Sequence, residues 1–369
     1  MNMKKVATVT FHRSDNFGSV LQAYALGEIL AHQGYDQFIV DYRKSEVADM
    51  YKILKKPTNK FLLITDMYNL LHYRKLKKRQ KLFEKFRNEF FRLSNIYRTH
   101  DSIIENPPVA DVYICGSDQI WNTSILDFDY TYLLDFVKNG RKIAYAASGV
   151  KSSHTDEAIK SVVEAASSFD GVTVRETYMA KRLGIDITNV VLDPVLLLTF
   201  DDWDKVCTDT KVDKKYMLCY FAGNVSFEFE QFTKKYAEQN GLERILLMPE
   251  WRNIKRNGKK FYDAGPGEFL SLIKNADIVC TDSFHGTAFS ILFNKPFVVG
   301  QHNPFSDERI ETILNLLGLK DMEIDPMYPE LSERLYSIDY SCVNTKLNKE
   351  RARCISILLN MIEGDGCFG

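Results

Sequence analysis

VATVTFHRSDNFGSVLQAYALGEILAHQGYDQFIVDY, residues 6–42, decides the fold. Val6 to Phe11 is a short β-rich run, HRSDNFG is a polar turn, and the stretch from Ser19 to Gly34 carries Val20, Leu21, Tyr24, Leu26, Ile29 and Leu30 at a roughly helical period. Gly34 is placed to cap that helix, and QFIVDY at 37–42 supplies a second strand. Strand-helix-strand units of this kind build a parallel sheet whose sites lie at the strand ends.

The same grammar continues along the chain. After Pro107 and Pro108, the stretches VADVYICGSDQIWN, RKIAYAASGV, SSFDGVTVRE and TNVVLDPVLLL each hold a short apolar core and read as consecutive parallel strands. LDP at 192–194 closes this half, and the polar DDWDKVCTDTKVDKK at 201–215 opens the next, so the boundary is expected near residue 200. Strands are then expected at 216–223, 244–249, 277–281 and 296–300, with helices over about 227–240, from near Pro266 and from about Thr287. The expected fold class is α/β: two Rossmann-like doubly wound domains, 1–200 and 201–340. A helix within 341–369 is expected to pack back across their interface.

Composition agrees and narrows the classes. A chain of 369 residues is long enough for two domains at about 150 residues each. Hydrophobic residues at 45% and charged residues at 26% exclude wholesale disorder and fibrous architecture. Lys plus Arg number 48 against 49 Asp plus Glu, so no global field exists to hold nucleic acid, which is not an expected partner. Seven cysteines without a CxxC pair argue against a disulfide framework or a structural zinc site, and no HxxxH or HExxH spacing occurs. The expected compartment is reducing and cytoplasmic: MNMKKVATVTFHRSDN has only a strand-length apolar run, too short for a signal-peptide core. No apolar stretch reaches the roughly 18 residues of a membrane span.

Charge is unevenly placed. Residues 72–92 carry nine Lys or Arg and two Glu, +7 locally, so the rest of the chain sums to -8. An intermittent apolar stripe of Leu76, Phe83, Phe86, Phe90 and Leu93 makes this segment a helix packed on its own N-terminal domain with a solvated basic face. Its other reading is a surface that approaches a phospholipid head group or a diphosphate-linked acceptor, a peripheral contact at the inner face of a membrane.

Candidate site residues gather where strands end. CTDSFHGTAFS at 280–290 ends a buried strand in Thr281 and Asp282, then places Ser283, His285 and Gly286 before a new helix. A helix N-terminus offers backbone N–H groups and a positive dipole end, so His285 there could hold and protonate an anion; the ordinary alternative is a satisfied structural imidazole. FHRSDNFGS at 11–19 has the same logic, with Gly18 allowing close approach, Arg13 or His12 nearby, and Asp15 or Asn16 as an ordinary helix cap. It matches neither GxGxxG nor GxxxxGK[ST]. ICGSDQIWN at 114–122 presents Gly116, Ser117 and Asp118; Asp118 could accept a sugar hydroxyl's proton or cap a helix. Arg175 in TVRE could fork onto a carboxylate or phosphate, or pair with Glu176 or another acid. Arg252 in PEWRN and Arg309 in SDERIETILNLLGL follow further strands, and Cys280 sits too deep in its apolar strand for a Cys-His nucleophile.

Taken in order, FHRSDNFGSVLQAYAL, ICGSDQIWN, IAYAAS, VRE, LDPVLLL, DAGPGEFLSLIKNADIVCTDSFHGTAFSILFNKPF and RIETILNLLGL resemble the polysaccharide pyruvyl transferase family over most of residues 5–320. The resemblance implies a GT-B-like pair of domains facing a cleft. The activity it implies is transfer of the enolpyruvyl moiety of phosphoenolpyruvate to a sugar as a cyclic ketal, with phosphate released. It places the family's essential His on His285, its strand-end acid on Asp118 and its mid-chain Arg on Arg175. One departure stands out: the family commonly has an Arg two residues before that His, where this chain has Ser283. Arg175, Arg252 or Arg309 could supply the missing charge, or the donor differs.

The chemistry needs a proton donor, a base and cations for phosphate and carboxylate. His285 is the expected general acid, Asp118 the base or orienting group, and Arg175 and Arg309 the anion clamps, assisted by helix N-termini after Gly18 and Gly286. No cofactor is expected beyond phosphoenolpyruvate as donor, and the expected partner is a saccharide acceptor, free or lipid-diphosphate-linked. The alternatives are a nucleotide-sugar glycosyltransferase on the same fold and a non-catalytic glycan-binding relative.

Overall fold

In a computed structural model, residues 3–55, 59–149, 156–223, 225–247, 257–300, 308–324 and 338–364 are described. Every strand pairing is parallel. The first sheet comprises β1 (Lys5–Val9), β2 (Asp36–Tyr42), β3 (Leu93–Tyr97), β4 (Val112–Cys115), β5 (Arg141–Ala147) and β6 (Gly171–Val174), in the spatial order β3-β2-β1-β4-β5-β6. The second comprises β7 (Tyr216–Tyr220), β8 (Glu243–Leu247), β9 (Lys259–Phe261), β10 (Ile278–Thr281), β11 (Phe297–Gly300) and β12 (Glu323–Ile324), in the order β12-β11-β10-β7-β8-β9. Counted from its own first strand, each sheet has the doubly wound order 3-2-1-4-5-6. The chain therefore reverses direction across each sheet between β1 and β4, and again between β7 and β10.

The central strands are short and apolar because helices cover both faces, which removes the in-out alternation of a half-exposed strand. All residues of β4, β7, β10 and β11 are buried. Around the first sheet the core gathers Phe11, Val40, Trp121, Tyr132 and Val174. Under the second, the Trp203 and Phe289 rings meet edge to face at 4.9 Å, and Phe269 approaches Phe289 at 5.8 Å. Emptying such a position, as in Trp203→Ala, costs about 3–5 kcal/mol.

Two compact units are present: Met1–Tyr51, Arg87–Leu198 and Leu347–Gly369 form one, and Lys52–Phe86 with Thr199–Lys346 form the other. The larger part of the basic segment 72–92 thus belongs with the second sheet rather than with the N-terminal half. The C-terminal helix, Tyr340–Glu363, joins the first unit from Leu347 onward; there Arg351 donates to the carbonyls of Leu196 and Leu198, and Arg353 to those of Thr188 and Val190.

Two local expectations fail for identifiable reasons. TNVVLDPVLLL is not a strand. Asp193 accepts from the Val195 N–H and caps a short 3-10 turn, Pro194–Leu196, whose first residue is a proline with no N–H to give a ladder. The helix expected from Thr287 starts three residues earlier, at Phe284, because extended Ser283 caps it by accepting from the Gly286 N–H. His285 therefore lies inside the first helical turn.

Candidate functional site

At the reversal point of the first sheet, the loops leaving β1 and β4 are stitched together by side chains. Thr10 Oγ1 donates to the Ser117 carbonyl at 3.1 Å. Gln22 Nε2 donates to Thr10 Oγ1 at 2.8 Å, and Gln22 Oε1 accepts from the Ser117 N–H at 3.2 Å. The turn itself demands glycine: Gly116 has φ +114°, and a Cβ there would stand 2.2 Å from the Tyr145 carbonyl oxygen. Asp118 follows at φ 75°, a left-handed conformation costly for a side chain other than glycine, asparagine or aspartate.

This turn delivers a carboxylate held on three sides. Ser19 Oγ donates to Asp118 Oδ2 at 2.5 Å and the Gln119 N–H to Oδ1 at 2.9 Å, while Arg175 Nη2 lies 3.6 Å from Oδ1. Arg175 is buried and also pairs with Asp193. Ser117 Oγ donates to the Ala146 carbonyl at 3.0 Å and lies 3.2 Å from Asp193. Ser148 donates to Glu176. Asp127 is buried in the same neighbourhood; burial first, and then the charge of Asp118, raise its carboxyl above the usual range, with Lys44 partly opposing.

Arg13 and Asn16 serve the framework around this loop. Asn16 Oδ1 accepts from the Gly18 and Ser19 N–H groups, capping the helix Phe17–His32, so the expected open helix end after Gly18 is filled by its own cap. Arg13 forks onto Asp41 at 2.8 and 2.6 Å, Arg43 forks onto the same carboxylate, and His12 Nε2 adds a contact at 3.2 Å. Burial would raise the Asp41 carboxyl, but the bonds from His12, Arg43 and Arg13 prevail and hold it far below the usual range. Asp15 takes Arg87 at 3.1 Å, which draws one cation of the basic segment inward.

The reversal point of the second sheet is built alike. Asp282, just past β10, accepts from the Ala222 and Gly223 N–H groups beyond β7, at 2.6 and 2.9 Å. Thr281 Oγ1 donates to the Tyr220 carbonyl at 2.6 Å and accepts from the Ser283 N–H at 3.0 Å. Gly286 is required by space, since a Cβ there would lie 2.3 Å from Thr281 Oγ1. His285 is buried at 8% exposure, edge-on to Phe284 at 5.2 Å, and the Arg309 guanidinium lies over the same Phe284 ring at 5.8 Å. Tyr220 is pushed up to about 12 by burial and by Asp282, with Ser283 and Arg79 acting the other way.

The sequence-predicted residues therefore form two clusters. Gly116, Ser117, Asp118 and Arg175 come together in the first unit, with Gly18 nearby through Ser19; Ser283, His285, Gly286 and Arg309 come together in the second. Arg252 lies outside the described residues. Sequence reasoning passed over Ser19 and Asp193 although both stand in quoted motifs, and Asp127 carried no local signal at all. Among the described residues, no group of three or more His, Cys, Asp or Glu side chains is arranged to hold a metal ion.

Two sheets of Rossmann order, each with its polar loops at the reversal point, define a GT-B-like α/β protein. The chain belongs to the polysaccharide pyruvyl transferase family, whose family model matches residues 16–299. No curated protein sequence matches significantly. Among solved structures, a UDP-N-acetylglucosamine 2-epimerase is similar at TM-score 0.54 and 11% identity, over 99% of this chain and 97% of that one. MnaA of S. aureus, solved with UDP, gives 0.51 and 14% over 98% and 96%. The UDP-GlcNAc 2-epimerase of Neisseria meningitidis, bound to UDP-GlcNAc, gives 0.51 and 12% over 98% and 100%. At these identities the likeness shows the fold alone.

Proposed function

We propose that this chain moves the pyruvyl group of phosphoenolpyruvate onto a sugar of a polysaccharide, or of its lipid-linked precursor, as a cyclic ketal. One observation carries the reading: both motif clusters of a pyruvyl transferase family chain lie at the strand-order reversal of their own sheet, where doubly wound sheets bind ligands. His285, charged, gives a proton to the methylene carbon of the enol phosphate, and the adjacent carbon becomes cationic. A sugar hydroxyl adds to that carbon and passes its proton to Asp118. The carbon-oxygen bond to phosphate breaks, a second hydroxyl closes the ketal, and its proton leaves with phosphate or returns to the imidazole.

Arg309 fits the missing cation at the Ser283 position, since it stacks on the residue preceding His285. Arg175 is better suited to holding Asp118 and Asp193 than to gripping substrate. The decisive assay is phosphate release that requires both phosphoenolpyruvate and a saccharide acceptor, lost in His285→Ala by about a hundred- to ten-thousand-fold while the fold persists. A nucleotide-sugar donor is the second reading, favoured by the UDP and UDP-GlcNAc held by structures of similar fold. Protection against thermal unfolding by UDP-sugars, with none by phosphoenolpyruvate, would decide for it.

A further inference from the structure

The helix Lys60–Leu71 turns the wrong side outward for a core element. Phe61, Leu63, Ile64, Met67, Leu70 and Leu71 are all exposed, Met67 at 62%, Leu70 at 63% and Leu71 at 80%. Leu63, Ile64, Met67, Leu70 and Leu71 follow the three-and-four spacing of one helical face. The helix is fixed beside that face: Tyr68 donates to Tyr262 at 2.9 Å, and His72 stacks flat on the Tyr262 ring at 4.1 Å. Asn69 donates to the Ile53 carbonyl at 2.8 Å. The apolar face is thus presented by an anchored helix.

Only His72 separates it from the helix Tyr73–Phe90, whose Arg74, Lys75, Lys77, Lys78, Lys81 and Lys85 are exposed. Phe83 and Phe86 on that helix are buried. An exposed apolar face continuous with a helix that exposes six Lys or Arg against two Glu, in a chain of net charge -1, matches one partner chemically: an anionic lipid surface. Such a surface takes up the leucines at its acyl boundary, attracts the lysines and repels the rest of the molecule. A second copy of the chain fits less well, because pairing the two faces would bring two strongly basic segments together.

We propose that Lys60–Leu71 and the exposed lysines of Tyr73–Phe90 form a docking surface for anionic phospholipid bilayers. This reading is independent of the transfer chemistry. The test is cosedimentation of the full chain with phosphatidylserine-phosphatidylcholine vesicles and with pure phosphatidylcholine vesicles, at low and high salt. The wild type should bind the anionic vesicles and weaken as salt rises. Replacing Lys75, Lys77, Lys81 and Lys85 with Gln should weaken binding by about fivefold per charge. Replacing Leu63, Ile64, Met67 and Leu71 with Ser should abolish it, with circular dichroism unchanged. If that variant fails to fold, the lysine series and the salt dependence still decide. Equal binding to both vesicle types, or binding indifferent to the lysines, overturns the proposal. So does a wild type that ignores lipid, including one that sediments as a dimer broken by the Ser substitutions.

Discussion

Ser19 and Asp118, 99 positions apart in sequence, meet through a 2.5 Å hydrogen bond from the serine hydroxyl to the carboxylate. The bond joins the first turn of the helix after β1 to the turn after β4, so the acid proposed as base is aimed by tertiary structure. Asp118→Asn should reduce phosphoenolpyruvate-dependent phosphate release by about a hundredfold or more with folding retained. Ser19→Ala should cost less, roughly tenfold, and appear mainly in kcat. Wild-type turnover in Asp118→Asn would remove the residue from the mechanism.

Arg175 balances two buried carboxylates, Asp118 and Asp193. Arg175→Met leaves both uncompensated, and urea unfolding should show a loss of about 3–5 kcal/mol. Adding Asp193→Asn should restore part of that loss; a double variant as unstable as the sum of the two singles would show that the pair does not interact.

His12 gives a pH dependence with a definite sign. Burial lowers its affinity for a proton, outweighing the bonds to Asp41 and to the Thr10 carbonyl. The unfolded chain therefore binds a proton that the folded one refuses, and stability must fall as pH drops below the ordinary histidine value, by up to about 1.4 kcal/mol per pH unit. His12→Gln should flatten the urea midpoint between pH 7 and 5. An unchanged slope would place the dependence elsewhere.

Asp127 works in the opposite sense. A carboxyl raised by burial and by Asp118 costs stability once pH exceeds its unfolded value, and that deficit persists at neutrality. Asp127→Asn should therefore raise the urea midpoint at pH 7 and lose this advantage in acid.

Gly286→Ala tests the packing under His285. The new Cβ would stand 2.3 Å from Thr281 Oγ1, whose two hydrogen bonds hold the β7 and β10 loops. Overpacking of this kind costs about 1–3 kcal/mol, and displacement of the first helical turn should raise KM for phosphoenolpyruvate. Unaltered kinetics would mean that the imidazole's position is immaterial.

Where local chemistry dictates structure, the sequence was legible. The run 6–42 folded as read because its apolar segments are bounded by an Asn cap and a glycine, and the two motif clusters lie at strand ends as their polar tails implied. LDPVLLL misled because its apolar content outweighed the meaning of Asp193-Pro194, a cap followed by a residue unable to donate. Gly286 looked like the break before a helix, whereas Ser283 had already opened it. The cage on Asp41 could not be read: Arg43 is a near neighbour in sequence, but His12 and Arg13 reach the carboxylate from 29 and 28 positions away, brought there by burial and charge. The apolar composition of FLLITDMYNLL at 61–71 likewise says nothing about which way it faces.

The first sheet's last strand is complete at Val174, yet the helix whose Arg351 and Arg353 tie down the carbonyls of residues 188–198 is encoded after everything in the second unit. In chain order the first unit therefore receives its closing element last. Expressing residues 1–198 alone would leave those carbonyls without their arginines.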